Sequence, residues 1–99
     1  MVNPKVAEGD KKPQLQLIPL AALEAAAGAL SDGCKKYGPA NWRTTGVSKS
    51  VYVGAALRHI TAYYEGEEYA EDSGVHHLGH AMACLAILLD GTKYEVMEP

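Results

Sequence analysis

The chain has 99 residues, with 9 Lys+Arg against 12 Asp+Glu, a net charge of −3 and 47% apolar residues. That is one small domain, with a radius of gyration near ~13 Å if it is compact and monomeric. No apolar run approaches the roughly 18–20 residues of a membrane span, no basic segment leads into an apolar one as in a secretory signal, and no Lys/Arg-rich face suits general nucleic-acid binding.

Residues 1–16 are polar, carry Pro4, Gly9 and Pro13, and show no period; they read as a flexible arm. The first periodic segment opens at Pro19, a residue suited to a first helical turn. Leu20, Leu23, Ala27, Leu30, Cys34 and Tyr37 then recur at helical spacing until Gly38-Pro39 stops them. The stretch from Ala40 to Ser48 reads as a loop. A second helix starts near Ser48 or Ser50, carries Val53, Ala56, Ile60 and Tyr63 on one stripe, and frays at Gly66. An acidic, Gly-bounded segment follows, Gly66-Glu67-Glu68-Tyr69-Ala70-Glu71-Asp72-Ser73-Gly74, with Ser73 as the expected N-cap of the third helix.

That third helix is expected to run to about Leu89 and to end at Asp90-Gly91. It carries two apolar stripes, Val75, Leu78, Met82, Leu85, Leu89 and His77, His80, Cys84, Ile87. A helix apolar on two faces is buried on two sides. Of the apolar residues 15 are Ala and none is Phe, so a lone core is marginal. The expectation is an all-α fold, a small helical bundle of three main helices spanning residues 17–91 and completed by homo-oligomerisation to a dimer, a tetramer or larger. Residues 92–99 read as a short tail. Cys34 and Cys84 lack CxxC spacing and are expected to be buried free thiols in a reducing cytoplasm.

Two groups of residues could carry chemistry. His77 and His80, at i and i+3, share one helical face, and His59 in the second helix could face them across the bundle. The acidic segment between the helices supplies Glu65, Glu67, Glu68, Glu71 and Asp72. Imidazole and carboxylate together suit a divalent cation better than a covalent nucleophile. The plainer reading is a hydrogen-bonded core histidine and a solvated acidic run. The second group is Lys36, Tyr37, Asn41, Trp42 and Arg43, with Arg58 further on. Cations bind phosphate, aromatic faces stack on bases and an amide reads a base edge; the plainer readings are a favourable helix dipole and a core tryptophan. The patterns GxGxxG, Walker A, GxSxG, HExxH and His-Asp are all missing from the sequence.

The series Leu17…Pro19, Ala22-Leu23, Gly33-x-x-Lys36-Tyr37-Gly38-x-x-Asn41-Trp42-Arg43, Tyr52…Ala55…Arg58-His59…Ala62, Gly66-Glu67 and Ser73-Gly74-x-x-His77-x-x-His80-Ala81 resembles the dATP/dGTP diphosphohydrolase N-terminal domain family. That family is found largely in bacteriophages, and the resemblance covers roughly residues 15–89. It implies an all-α domain akin to the MazG-type pyrophosphohydrolases, which split a nucleoside triphosphate into monophosphate and pyrophosphate with Mg²⁺ or Mn²⁺. In that reading Glu67, Glu68, Asp72, His77 and His80 hold the metal. His59, Glu67, Asp72, His77 and His80 are the catalytic set. Lys36, Arg43 and Arg58 meet phosphate, Asn41 and Trp42 meet the purine, and Tyr37 joins them in binding substrate. The working place would be the host cell cytoplasm.

Two departures from the MazG-type signature stand out. Glu65-Gly-Glu-Glu68 supplies one E-x-x-E pair, but His77-x-x-His80 stands where E-x-x-D would be expected, which shifts metal preference towards Mn²⁺ or Zn²⁺. Ala70 stands where the family pattern favours Asp. A non-catalytic nucleotide binder of the same fold, sequestering a host nucleotide signal, and a helical oligomer with a structural zinc are the competing expectations.

Overall fold

The computed structural model describes residues 3–99. Five helices follow in order: α1 (Pro4–Asp10), α2 (Leu20–Tyr37), α3 (Trp42–Thr45), α4 (Lys49–Tyr64) and α5 (His77–Lys93). Two short strands, β1 (Val47–Ser48) and β2 (Met97–Glu98), pair in parallel. The fold is all-α, as the periodicity predicts. No helix among the described residues is long and apolar enough to cross a membrane.

Local chemistry sets the ends of each helix. Pro19 stands at the N-cap of α2, and Gly38 at φ +87° breaks it, with Lys35 and Lys36 set against the negative end of the dipole. Ser48 caps α4 by accepting from the Val51 amide. The cap of α5 differs from the expected Ser73. His76 takes that role, its Nδ1 accepting from the Leu78 amide at 3.0 Å. Before it the backbone is held extended by a bridge between Tyr69 and His76 and by His77 N–H donating to the Glu68 carbonyl. Helix formation is therefore delayed past Val75.

Three further segments differ from expectation. Within the arm, Pro4–Asp10 form a helix capped by the Asn3 side chain, though none of its residues is buried; residues 1 and 2 lie outside the described residues. The expected loop between α2 and α4 holds α3 and β1. The last helix runs past Asp90-Gly91 because Gly91 is a packing residue: a Cβ there would stand 2.9 Å from Val47 Cγ2 and 2.8 Å from Met97 Sδ. The final residues fold back, Val47 N–H donating to the Val96 carbonyl, and they seal Val47, which is fully buried.

The α5 helix is central, packed between α2 and α4, which scarcely meet each other. The contacts are made through small residues: Gly79 against Ala25, Gly28 against Val75, and the buried Ala29, Ala56, Ala81 and Ala83. Small side chains let helices approach closely but bury little area, about 0.8 kcal/mol per methyl group. Many of the larger apolar residues stay outside. On α4, Leu57 is 58% exposed, with Val53, Ile60 and Tyr64 beside it on one stripe; on α5, Leu89 is 74% exposed and Leu85 lies one turn before it. Of the stripe expected on α4, only Ala56 is buried. The radius of gyration, 16.1 Å, exceeds the ~13 Å of a compact chain of this length.

Candidate functional site

One side of this layer holds a cavity of about 730 Å³, bounded by α2, α4 and α5, the Gly38–Trp42 connection and the acidic turn before α5. That volume is within the range of small-molecule sites. Lys36 and Tyr37 reach it from the end of α2, Asn41 and Trp42 from the connection, His59 from α4, His80 from α5 and Asp72 from the turn. Seven of the residues singled out in the sequence thus share one wall, although they come from distant stretches of chain.

Behind the wall lies a chain of hydrogen bonds. His77 is buried, at 6% exposure, its Nε2 standing 2.7 Å from Glu67 Oε1 and its Nδ1 2.8 Å from His59 Nδ1. The His59 ring stacks on His80, with centroids 4.6 Å apart and 15° between planes. His80 Nε2 is 2.6 Å from Ser73 Oγ. Imidazoles of the last helix and carboxylates of the preceding turn do meet. Burial, followed by the nearby His80 and His77, holds His59 below its ordinary value. Burial likewise lowers His80, partly countered by Asp32 and Asp72.

Other expected site residues lie elsewhere. Glu68 stands off the cavity, Oε2 3.9 Å from His76 Nε2. Arg43 is paired through two nitrogens with Asp90, both at 2.9 Å, and its guanidinium lies 4.1 Å from the Tyr94 ring centroid. It is thereby held away from the cavity. Arg58 is exposed on α4 and lies alongside Gly54. Trp42 is half-buried; its Nε1 donates to Asp90 Oδ2 at 2.7 Å, and the residue also lines the cavity. Cys34 is exposed and Cys84 half-buried, both as free thiols, so the expected burial holds only in part. Cys34, although exposed, lines the cavity from α2, and Cys84 lines it from α5.

Sequence reasoning missed four residues. Asp32 forms an ion pair with Lys36 at 3.0 Å and lines the cavity; its i,i+4 spacing was a usable signal. Tyr52 faces the cavity from α4. Ser73 is the hydroxyl partner of His80, and Asp90 anchors the connection. Neither of the last two had a local signal, because each partnership spans distant or non-helical chain.

Both ring nitrogens of His77 are engaged, by Glu67 and His59, while His80 Nε2 is taken by Ser73 and Asp72 Oδ1 accepts from the Ser73 amide. Among the described residues, no group of three or more His, Cys, Asp or Glu is gathered to hold an ion. The arranged residues do not fit a protein-held divalent metal.

Fold and site together define a small all-α domain whose histidine–carboxylate cluster backs an open, nucleotide-sized cavity. The family model for the N-terminal domain of dATP/dGTP diphosphohydrolase matches residues 2–97, and the chain belongs to that family. A relative, the dATP/dGTP diphosphohydrolase of Salmonella phage PMBT28, is 31% identical over 77 residues, covering 78% of this chain and 26% of that protein. The chain thus spans about a quarter of the length of the curated relative it matches. No solved structure matches it.

Proposed function

We propose that the domain binds a purine deoxynucleoside triphosphate in the cavity and hydrolyses it to monophosphate and pyrophosphate, as a MazG-like hydrolase working in a phage-infected cytoplasm. The observation that carries this reading is the meeting in one cavity of a cation, Lys36, an aromatic pair, Tyr37 and Trp42, and two imidazoles, His59 and His80. Lys36 would take negative charge on the phosphates, Trp42 or Tyr37 would stack on the base and Asn41 would read its edge. The imidazoles are the groups suited to move a proton from the attacking water. The expected divalent cation, Mg²⁺, Mn²⁺ or Zn²⁺, enters in this reading as part of the substrate, chelated by the triphosphate. The test is incubation of purified protein with dATP or dGTP and Mg²⁺ or Mn²⁺, reading pyrophosphate release. Release that is lost in His59→Gln supports the proposal; nucleotide binding without release overturns the catalytic part.

The absence of a ligand trio among the described residues favours a second reading, a non-catalytic domain that holds a host nucleotide signal. Calorimetric binding of nucleotide with unchanged nucleotide recovered afterwards would select it. The uncovered apolar stripes of α4 and α5 support a homo-oligomer in either case.

A further inference from the structure

The hydrogen bonds of the histidine–carboxylate cluster fix where its protons sit. An ionised carboxylate only accepts. Glu67 Oε1, 2.7 Å from His77 Nε2, therefore requires the proton of that ring on Nε2. With His77 taken as neutral, its Nδ1 is then bare, and the proton of the 2.8 Å contact with His59 Nδ1 belongs to His59. A neutral His59 with its proton on Nδ1 has a bare Nε2. His59 lines the cavity, its Nε2 has no protein partner among the described residues, and the atom is not sealed from solvent. A chain of hydrogen bonds thus runs from the Glu67 carboxylate to a ring that lines the cavity and whose Nε2 has no protein partner among the described residues.

We propose that Glu67 and His77 are positioning residues that fix the tautomer of His59, so that its bare Nε2 serves as the base facing the cavity. Only the identity of the proton donor, a water attacking phosphorus, rests on the hydrolase reading above. In that step the water O–H bond breaks and an N–H bond forms at His59 Nε2. The His59 Nδ1 proton passes to His77 Nδ1, and hydroxide is left to bond phosphorus. His77 ends as an imidazolium against the Glu67 carboxylate, and His59 is neutral again with its proton on Nε2. The positive charge then rests one ring back from the cavity. Burial, His80 and His77 all disfavour a charged His59, which suits a ring that hands its charge on. The parallel stack of His80 on His59 fixes the ring plane. The same arrangement accounts for histidines standing where a metal-binding signature would have carboxylates: here the rings are spent on one another.

The test reads tautomers directly, by long-range proton–nitrogen NMR of the nucleotide-free protein at neutral pH. The expected spectrum shows His59 protonated on Nδ1 alone and His77 on Nε2 alone. Glu67→Gln, an exposed position that leaves packing intact, is expected to turn the single His59 tautomer into a mixture, because an amide can donate as well as accept. A His59 carrying its proton on Nε2 in the unaltered protein, or a Glu67→Gln spectrum identical to it, would overturn the proposal. So would added Mg²⁺ or Zn²⁺ displacing the His77 Nε2 proton, since His77 would then be a ligand. Activity is a separate arm: Glu67→Gln is expected to lower kcat about tenfold or more with KM for nucleotide unchanged. Tautomers as stated in a protein without turnover leave the relay standing and sink only the hydrolase reading.

Discussion

Gly79 of α5 lies against the carbonyl of Ala25 in α2, with the Ala25 Cβ 3.1 Å from where a side chain on Gly79 would begin. The backbone oxygen cannot move aside without shifting a helix, so a methyl group here acts as a wedge. Gly79→Ala raises intrinsic helix propensity by about 1 kcal/mol, yet overpacking typically costs about 1–3 kcal/mol. The net expectation is destabilisation, and it also widens the gap between α2 and α5 that shapes the cavity. Urea unfolding checks it: a lower midpoint at unchanged slope is expected, and a stabilised protein would show that the two helices are free to part.

Asp90 joins the short connection to the last helix. Its carboxylate accepts from Trp42 Nε1 and from Arg43, and the Arg43 guanidinium, then the indole, hold its carboxyl well below the ordinary range, at about 2. A depressed folded value means that this contribution to stability is complete above the unfolded value of about 4. It is lost as pH falls from there through about 2, where the folded carboxyl itself takes up a proton. Asp90→Asn is expected to lower the thermal midpoint at neutral pH and to flatten its decline between pH 4 and 2. Parallel melting curves of the two proteins across that window decide the matter; identical slopes would place the acid sensitivity elsewhere.

The helices were legible because Pro19, Gly38, Ser48 and the apolar spacing are local signals, and local signals are what a single chain displays. What the periodicity did not reveal is which apolar residues go inside. Leu57 and Ile60 have the same spacing as a core stripe, but Gly79, Ala81 and Ala83 bring the helices close, and these two residues are left on the flank. Gly91 shows the same limit from the other direction: a glycine after Asp90 reads as a helix stop, and only the folded-back tail reveals it as a close contact. In the site, i,i+3 spacing brought His77 and His80 together on one helix. The division of labour between them, one ring in the wall and one behind it, depends on which helix covers which face. Arg43 was indistinguishable in sequence from a phosphate ligand because Asp90 lies far along the chain.

Lys36 and Asp32 form an exposed pair whose contribution to stability is small, as for most surface ion pairs. Their places in the cavity predict opposite effects on nucleotide affinity. If the cavity holds a triphosphate as proposed, Lys36→Ala removes a charge-assisted bond to it and should weaken dATP or dGTP binding about tenfold or more. Asp32→Asn leaves the ammonium free of its internal carboxylate and removes a negative charge from the wall, so binding should tighten. Titration calorimetry at low and high salt checks both, with the difference between them shrinking as salt screens the site. Equal affinities for all three proteins would place the triphosphate outside this cavity.

Val53, Leu57 and Ile60 on α4 form an apolar surface left partly exposed in the single chain, and Leu85 and Leu89 on α5 add to the exposed apolar area. Burying one such leucine is worth about 1.5–3 kcal/mol, and in a symmetric dimer every residue counts twice. If a second copy covers this surface, as proposed above, Leu57→Glu is expected to yield monomer while leaving the helical fold, since the position is already solvent-facing in a single chain. Sedimentation across a range of concentrations, with circular dichroism as the fold control, gives the measurement. The cavity lies on the other flank of α4, bounded by Tyr52, Ala55 and His59, so the monomeric variant should still bind nucleotide. If binding is lost together with association, a second copy of the chain contributes to the site; if the unaltered protein is already monomeric, the apolar stripe has another partner.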